Sequence, residues 1–206
     1  MEASLEVKLI GYTPNPDKIC ACAARQSHAE GSAYKIKMDK KCIKNFLSKI
    51  IKSGHVSVLE HASFTFAISG ISRTCSHQLV RHRIASYTQQ SQRYVMQKTF
   101  DYIIPKTIKR KDGEARKEFE RVIEHTGEAY NKLIKIGIPK EDARFVLPNA
   151  TETKIVVTMN ARELLHFFKL RMSKDAQWEI RELAKEMLKK VKKVSPIIFS
   201  YAAKYE

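Results

Sequence analysis

Four segments of the chain have the hydrophobic pattern or the composition of β-strands. Residues 5–9 and 64–68 carry an apolar side chain at every second position, as half-buried strands do. Residues 151–159 are rich in β-branched side chains, which favour strands. Residues 94–102 predict a further strand, which Pro105 closes. Predicted strands are therefore spread along the chain rather than grouped in one part of it.

Apolar residues that recur every three or four positions predict amphipathic helices between and after these strands. Asp17, Asp39, Asn160 and Asp175 each stand at the start of such a segment and are predicted N-caps. Glu163 follows Asn160 by three positions, which is the spacing of a capping box. The predicted helices cover residues 17–28, 40–53, 72–80, 111–136 and 141–148, the segments that begin after Asn160 and Asp175, and a last turn at Ser195.

Two polar segments are predicted to lack a regular helix or strand. Residues 55–61 are interpreted as a loop or short turn, and residues 81–94 have no hydrophobic period, which places most of them in loop and turn. Strands and helices do not alternate as βαβ units, and the glycine-rich dinucleotide fingerprint is missing, which argues against a Rossmann fold. Because no repeat or linker divides the sequence, we predict a single α+β domain over residues 1–206.

The composition predicts a folded protein without a membrane anchor. Hydrophobic residues make up 43% of the 206 residues, which is enough to bury a core and argues against global disorder. No run of 18 apolar residues occurs, and the N-terminus lacks the pattern of a signal peptide, so we predict a cytoplasmic protein. The four cysteines form no CxxC pair, and we expect small buried thiols rather than zinc ligands or disulfides.

The formal net charge of +16 allows nucleic acid, an anionic small molecule or only a lysine-coated surface. Lysines form runs that are typical of solvated helix faces, whereas residues 55–97 contain four arginines and no lysine. Within this stretch, residues 81–94 combine three arginines with hydroxyl and amide side chains and contain no acid. Because a guanidinium matches phosphate oxygens two at a time, residues 81–94 predict a site for a phosphorylated, hydrogen-bonding ligand.

Two later segments add to this candidate site. Arg171 follows a strongly apolar segment, where a surface helix would more often carry lysine. Asn160, Arg162 and His166 cluster at a predicted helix start, where backbone N–H groups and the helix dipole favour anions. Arg162 and His166 are four positions apart and therefore share a helix face.

Other kinds of site have weaker support. Cys75 lacks surroundings that lower a thiol pKa, and Ser91 lacks the strand–turn–helix elbow of a nucleophile. His55 and His61 lack a third ligand at metal-binding spacing, so no metal is predicted. An RNA-binding protein is an alternative that the charge motivates, but an RNP-like aromatic motif and a GXXG loop are missing, and no nucleic-acid partner is predicted.

Ordered blocks of the sequence resemble those of one enzyme family. Arg81-His82-Arg83, followed after seven residues by Ser91, looks like the RHR-x7-S signature of the flavin-dependent, or alternative, thymidylate synthases. Further blocks that resemble this family are Ala24-Arg25-Gln26-Ser27, residues 55–61 (HVSVLEH), Ala143-Arg144 with Leu147-Pro148, Asn160-Ala161-Arg162, Leu170-Arg171 and residues 176–180 (AQWEI). The series runs from about residue 24 to 180, which makes it much more specific than the three-letter motif alone.

The resemblance implies the reductive methylation of dUMP to dTMP. The one-carbon donor would be 5,10-methylenetetrahydrofolate, FAD would mediate the transfer, NADPH would be the reductant, and tetrahydrofolate would be the second product. It also implies a central, twisted, mainly antiparallel sheet flanked by helices, and a homotetramer whose sites are shared between subunits. A flavin reductase without methyl transfer is an alternative within the same cofactor class.

The resemblance also assigns residues to ligands. The implied FAD contacts are Ser57, Arg81, His82, Arg83, Gln89, Asn160, Ala161, Arg162 and His166. The implied dUMP contacts are Gln78, Leu79, Val80, Arg81, Gln89, Gln90, Ser91, Gln92, Arg93, Arg144 and Arg171. Arg171 would be the catalytic residue, stabilising negative charge on the uracil ring, and His55 would line the folate and NADPH region.

The chain departs from the common pattern of the family at three places. Thr88-Gln89 stands where many members have Asn-Glu, so a charged contact near the nucleotide becomes a neutral amide that can still donate and accept hydrogen bonds. His166 stands where asparagine is frequent, and Asp175 stands where histidine is frequent. These departures affect single contacts rather than the reaction.

Overall fold

The computed structural model describes residues 1–111 and 113–205. Its strands are β1 (Glu6–Tyr12), β2 (Ser63–Ser72), β3 (Ala85–Gln89) and β4 (Glu152–Asn160). Its α-helices are α1 (Pro16–Gln26), α2 (Lys40–Lys52), α3 (Arg73–Leu79), α4 (Lys106–Arg110), α5 (Glu114–Lys135), α6 (Lys140–Ala143), α7 (Ala161–Arg171), α8 (Trp178–Val194) and α9 (Pro196–Phe199). Short 3-10 helices cover Ala33–Lys35, Val56–His61, Arg144–Val146 and Ser200–Tyr205.

The four strands form an antiparallel sheet in the order β1-β2-β4-β3, with helices flanking it. The predicted α+β class and the predicted antiparallel sheet are confirmed. The strands predicted at residues 5–9, 64–68 and 151–159 are β1, β2 and β4, because their alternating side chains separate a more buried face from a less buried one. The homotetramer stays a prediction.

The middle of the chain differs from its prediction at two places. Ala85–Gln89, predicted as loop, forms β3, an outer strand of the sheet whose polar side chains give no hydrophobic period. Just beyond β3, the amide of Gln90 donates to the carbonyl of Lys154 over 2.8 Å. This pairing with another part of the chain produces the strand where local pattern does not.

The strand predicted at residues 94–102 is wrong, since this segment forms turns and only an isolated bridge at Tyr102. Side chains of α5 bind its backbone instead. Tyr130 accepts a hydrogen bond from the amide of Gln97 over 3.2 Å, and the Asn131 amide donates to the carbonyl of Lys98 over 3.0 Å. Backbone groups held by side chains need no neighbouring strand.

Two of the four predicted N-caps are confirmed. The carboxylate of Asp39 accepts from the amide of Cys42 at the start of α2, and Asn160 Oδ1 accepts from the amide of Glu163 at the start of α7. The cap predicted at Asp175 is wrong. The side chain of Gln177 accepts from the first amides of α8 instead, because it directly precedes that helix.

The cap predicted at Asp17 is also wrong, since α1 begins at Pro16, after Asn15. The Asp17 carboxylate binds the start of α9. It accepts from the hydroxyl of Ser195 over 2.6 Å and from the amides of Ile197 and Ile198 over 3.0 and 3.2 Å. An acid in the first turn of one helix therefore caps another helix that lies far along the chain.

The long helix predicted over residues 111–136 is shorter in the structure. Its described part is α5, and α4 precedes it as a separate short helix. Asp112, within the predicted helix, and Glu206, within the predicted domain, lie outside the described residues. No helix in the described part of the chain has the length and hydropathy to cross a membrane.

The described residues form two compact units. The first consists of Met1–Glu6, Ile68–Gln78 and Thr88–Ile155, and the second of Val7–Ala67, Leu79–Tyr87 and Val156–Glu206. Side chains such as those of Ile71, Cys75 and Tyr130 are fully buried in the first unit. In the second unit, Phe64, Phe168 and Phe199 pack edge to face, with centroid distances of 5.3 and 5.9 Å about the Phe199 ring. The single domain stays a prediction.

The prediction of buried thiols holds for two of the four cysteines. Cys20 and Cys75 are buried, Cys22 is half-buried, and Cys42 is exposed on α2, where the prediction is wrong. Burial and the nearby charge of Asp17 raise the pKa of Cys20 to about 12. A thiol with so high a pKa is not a nucleophile at neutral pH.

Gly70 is required by the backbone of the first unit, and we expect Gly70→Ala to destabilise the protein. Its φ of 68° is unfavourable for other residues, and a Cβ there would lie 1.8 Å from the carbonyl oxygen of Ser4. Strain and steric overlap together are expected to cost about 2 kcal/mol or more of unfolding free energy, measured by urea denaturation. Gly11→Ala is the control, since a Cβ there would meet Thr65 at an ordinary 3.8 Å. Equal stability of the two variants would contradict this assignment.

Candidate active site

The second unit contains a cleft of about 900 Å³ along helix α7. Its lining combines apolar, aromatic and cationic side chains with a few neutral polar ones and two carboxylates, those of Glu60 and Glu163. The lining residues are Ile51, Lys52, Val56, Glu60, Ile84, Asn160, Arg162, Glu163, Leu165, His166, Lys169, Tyr201 and Tyr205. Three of the residues predicted to contact FAD, Asn160, Arg162 and His166, therefore lie together in this cleft. Such a lining suits a large ligand with both an aromatic and an anionic part.

The start of α7 offers fewer free amides than its position predicts. The amide of Ala161 donates to the carbonyl of Ala62 over 2.8 Å, and that of Glu163 donates to Asn160. Arg162 forms an ion pair with Glu60 at the cleft. Attraction of an anion to this cleft therefore depends more on the cationic side chains of Lys52, Arg162 and Lys169 than on the helix end.

Three polar side chains, two of them buried and one half-buried, are hydrogen-bonded in series, and one of them, Glu163, also lines this cleft. Glu163 Oε1 lies 2.9 Å from His82 Nδ1, and Arg171 Nε donates to His82 Nε2 over 3.0 Å. The side chains of His82 and Glu163 are only 3% and 7% exposed. Phe167 packs edge to face against the imidazole, with ring centroids 4.9 Å apart. The predicted catalytic arginine is thus attached to the histidine of the RHR motif.

The surroundings of His82 favour the neutral form of its imidazole. Burial lowers the pKa of His82, and the nearby charge of Arg171 lowers it further, while the hydrogen bond to Glu163 opposes both. The ligand atoms of His82, Glu163 and His166 lie within 4.8 Å of one another, which is a possible metal cluster. Both nitrogens of His82 are already hydrogen-bonded, however, one of them to a cation, so this arrangement disfavours a metal ion.

The first unit contains a smaller pocket of about 420 Å³ with a strongly basic lining. The lining residues are Arg73, His77, Gln92, Arg144, Phe145, Leu147, Pro148 and Asn149. Burial, and then the charge of Arg144, lower the pKa of Arg73. Among the described residues, neither Arg73 nor Arg144 forms an ion pair with a carboxylate. Two arginines that face one pocket without an acid are suited to bind an anion.

Gln89, predicted to contact both ligands, is engaged within the first unit. Its amide nitrogen donates to the hydroxyls of Ser76 and Thr153, each over 3.0 Å. These bonds anchor β3 to neighbouring residues of the unit. The side-chain donors of Gln89 are therefore used by the protein, and its ligand contacts stay a prediction.

The remaining predicted contacts differ in accessibility. Ser57, His55, Arg81, Arg83, Val80 and Arg93 are exposed; Gln78, Gln90 and Ser91 are half-buried; and Leu79, Ala161 and Gln92 are buried. The Arg93 guanidinium pairs with Glu141 in the first unit. The carbonyl of Leu79 accepts from the Tyr87 hydroxyl over 2.9 Å. Whether these residues touch a ligand stays a prediction.

Comparisons with known proteins identify the family of this site. A family profile described as thymidylate synthase complementing protein matches residues 8–197. Flavin-dependent thymidylate synthases from Geobacter sulfurreducens and Pyrococcus horikoshii are 52% and 50% identical to the chain. These alignments cover 95% and 94% of this chain and 85% and 83% of the relatives.

The chain belongs to the flavin-dependent thymidylate synthase family. Among solved structures, it is similar to a UMP/dUMP methylase, PolB from Streptomyces cacaoi, bound with 5-Br dUMP. That similarity has a TM-score of 0.87 and 26% identity, and it covers 97% of this chain and 94% of the other. Membership of the flavin-dependent thymidylate synthase family confirms the predicted enzyme class and the predicted FAD cofactor.

Three residues of these two pockets have no ligand or catalytic role in the predictions from the sequence. The spacing predicts Glu163 only as part of a capping box, whereas its carboxylate binds His82. Arg73 and His77 line the basic pocket from one face of α3, where they are four positions apart. Arg73 is one of the four arginines in the stretch without lysine, and that was the available signal.

Proposed function

We propose that the chain converts dUMP to dTMP, with 5,10-methylenetetrahydrofolate as the one-carbon donor and NADPH as the reductant. The reaction balances as dUMP, methylenetetrahydrofolate, NADPH and a proton giving dTMP, tetrahydrofolate and NADP⁺. The family name of the relatives supports the reaction type, and the 5-Br dUMP held by the similar methylase supports the nucleotide. The observation that carries the proposal is the cleft where Asn160, Arg162 and His166 come together.

The cleft of the second unit fits FAD by the chemistry of its lining. Lys52, Arg162 and Lys169 supply positive charge for the diphosphate, and apolar and tyrosine side chains supply a surface for aromatic rings. When bound, FAD supplies the redox chemistry of the reaction. The protein binds and orients the cofactor, and the side chain of His82 supports Arg171 rather than opening to solvent.

The basic pocket of the first unit fits the phosphate of dUMP. Arg144 and Gln92, both predicted dUMP contacts, line it together with Arg73 and His77. The guanidinium groups bind phosphate oxygens, and the amide of Gln92 adds a neutral hydrogen-bonding group. Because the two arginines lie close together without a carboxylate, an anion between them relieves their repulsion.

Arg171 is proposed to act on the uracil ring. A fixed cation beside the ring stabilises negative charge there, and that charge makes C5 a better nucleophile towards the one-carbon unit. No enzymic nucleophile is required for this step. His55, exposed before the 3-10 helix Val56–His61, is proposed to line the folate and NADPH region, and the active form is proposed to be a homotetramer.

We expect purified protein to be yellow, or to become yellow with FAD, and to form dTMP. The measurement is a visible spectrum after removal of free FAD, followed by anaerobic assay of dTMP with dUMP, methylenetetrahydrofolate and NADPH. Formation of dTMP is the deciding readout, because a flavin reductase would oxidise NADPH without forming dTMP. Leaving out methylenetetrahydrofolate is the negative control for dTMP. A colourless protein that cannot be reconstituted would contradict the proposed cofactor site, and NADPH oxidation without dTMP would contradict methyl transfer.

A further inference from the structure

We propose that Glu163 is a positioning residue that acts through His82 to hold Arg171 in its working orientation. The inference rests on the proposed role of Arg171, and it assigns a function to a carboxylate that neither the motif nor the ligand predictions include. The three side chains come from two segments, since Glu163 lies 81 positions and Arg171 lies 89 positions from His82.

The donors and acceptors fix one form of the imidazole. An arginine nitrogen can only donate, so His82 Nε2 must offer its lone pair to Arg171 Nε. A neutral imidazole then carries its proton on Nδ1, which donates to the Glu163 carboxylate. Glu163 therefore selects the tautomer in which His82 can accept from Arg171. The same logic, a carboxylate that fixes a histidine tautomer, operates in hydrolase triads and metal sites.

Burial makes this selection effective. With side chains 3% and 7% exposed, His82 and Glu163 have little access to water as a substitute partner. The backbone of Glu163 is fixed, since its amide donates to Asn160 at the start of α7. Phe167 and His166 stand against the imidazole, with centroid distances of 4.9 and 5.9 Å, which limits rotation of the ring.

Anchoring Nε fixes the plane of the Arg171 guanidinium. The arginine side chain has several rotatable bonds, and the hydrogen bond to His82 restricts the orientations that it samples. A guanidinium held in one plane presents its terminal nitrogens in a constant direction, which electrostatic catalysis requires. Loss of this hydrogen bond is therefore expected to lower kcat more than it weakens binding of dUMP.

The kinetic test compares Glu163→Leu with Glu163→Gln. The leucine has no acceptor, and we expect kcat for dTMP formation to fall about tenfold, measured with saturating FAD, with KM for dUMP within about twofold of wild type. The glutamine keeps an acceptor oxygen, and we expect it to recover part of kcat. Glu152→Gln is the matched control, because Glu152 is similarly buried and accepts from the Gly70 amide over 2.8 Å.

The structural test reads the tautomer directly. The measurement is an NMR spectrum of the FAD-loaded protein with ¹⁵N-labelled histidine at pH 8, in which His82 should have a protonated Nδ1 and an unprotonated Nε2. A His82→Asn sample assigns the His82 signals. We expect Glu163→Leu to convert His82 to the other tautomer or to a mixture, and Glu152→Gln to leave it unchanged. If Glu163→Leu fails to fold, Glu163→Gln provides both readouts.

Acid pH provides a third readout. Among the described residues, Glu163, His166 and Arg171 are the ionisable side chains that act on the His82 imidazole. Protonation of His82 turns its acceptor into a donor and repels Arg171, so kcat should fall below the ordinary histidine pKa of 6.5, because the pKa of His82 is lowered. Glu163→Gln removes a group that raises this pKa, so its acid limb should move to lower pH.

The outcomes separate this inference from the proposed function. If wild-type protein forms no dTMP, the proposed function fails. The tautomer spectrum still tests whether Glu163 sets the tautomer of His82. If wild type is active and Glu163→Leu keeps wild-type kcat and the wild-type tautomer, the positioning role is wrong. A loss of kcat equal to that of Glu152→Gln, with no change in tautomer, would also overturn it.

Discussion

Arg171→Ala is expected to lose about 100- to 1,000-fold in kcat for dTMP formation while it still binds FAD. The substitution removes the cation that is proposed to stabilise negative charge on the uracil ring. Because that charge develops in the transition state, the loss should appear in kcat more than in KM for dUMP. The measurement is single-turnover formation of dTMP under anaerobic conditions, with the visible spectrum of bound FAD recorded on the same sample.

Two further arginine variants sharpen this experiment. Arg171→Lys keeps a positive charge but lacks an Nε to donate to His82, so a partial recovery of kcat is expected. Arg181→Ala is the control, since the Arg181 side chain is hydrogen-bonded to the carbonyl of Lys174 over 3.1 Å at an exposed position. Turnover by Arg171→Ala near that of Arg181→Ala would refute the catalytic role.

Arg144→Ala is expected to raise KM for dUMP about 30- to 100-fold with little change in kcat. Charge-assisted hydrogen bonds to a phosphate contribute about 1.5–3 kcal/mol each, and Arg144 faces the basic pocket together with Arg73. Contacts to the nucleotide phosphate are present in both the ground state and the transition state. Losing one of them therefore raises KM rather than lowering kcat. Initial rates over a range of dUMP concentrations give both constants.

Deoxyuridine and a second arginine variant provide the controls for Arg144. Deoxyuridine lacks the phosphate, so wild type and Arg144→Ala should use it equally poorly. Arg116→Ala removes an exposed arginine of α5 that pairs with Glu120 four positions on, and it should leave KM for dUMP unchanged. A KM effect of Arg144→Ala that is equally large with deoxyuridine would show that Arg144 does not bind the phosphate. Arg73→Ala should reproduce part of the effect.

The sequence predicted well those elements whose burial follows a simple period. β1, β2 and β4 alternate between more buried and less buried side chains, and α2 and α7 begin at caps that their sequence predicts. In these segments the pattern of apolar residues and the element coincide, because one face of each is buried. The family was equally readable, since its motifs are contiguous blocks of residues.

The sequence predicted poorly the segments whose structure depends on a distant partner. β3 is polar and has no period, and hydrogen bonding to another part of the chain makes it a strand. Residues 94–102 look like a strand, but side chains of α5 bind their backbone. Asp17 looks like the cap of its own helix and caps α9 instead. In each case a polar group has several possible partners, and proximity in the folded chain selects among them.

The site divides in the same way. The residues alone predicted a basic, arginine-rich region that binds a phosphorylated ligand. The ordered motifs added the family and its flavin cofactor. Only the tertiary structure decided that the Glu163 carboxylate meets His82 and that His82 meets Arg171. It also decided that Arg73 and His77 share a pocket with Arg144. Hydrophobic periodicity encodes which face is buried, but it does not encode which polar groups meet inside, because those contacts join residues about 70 to 90 positions apart.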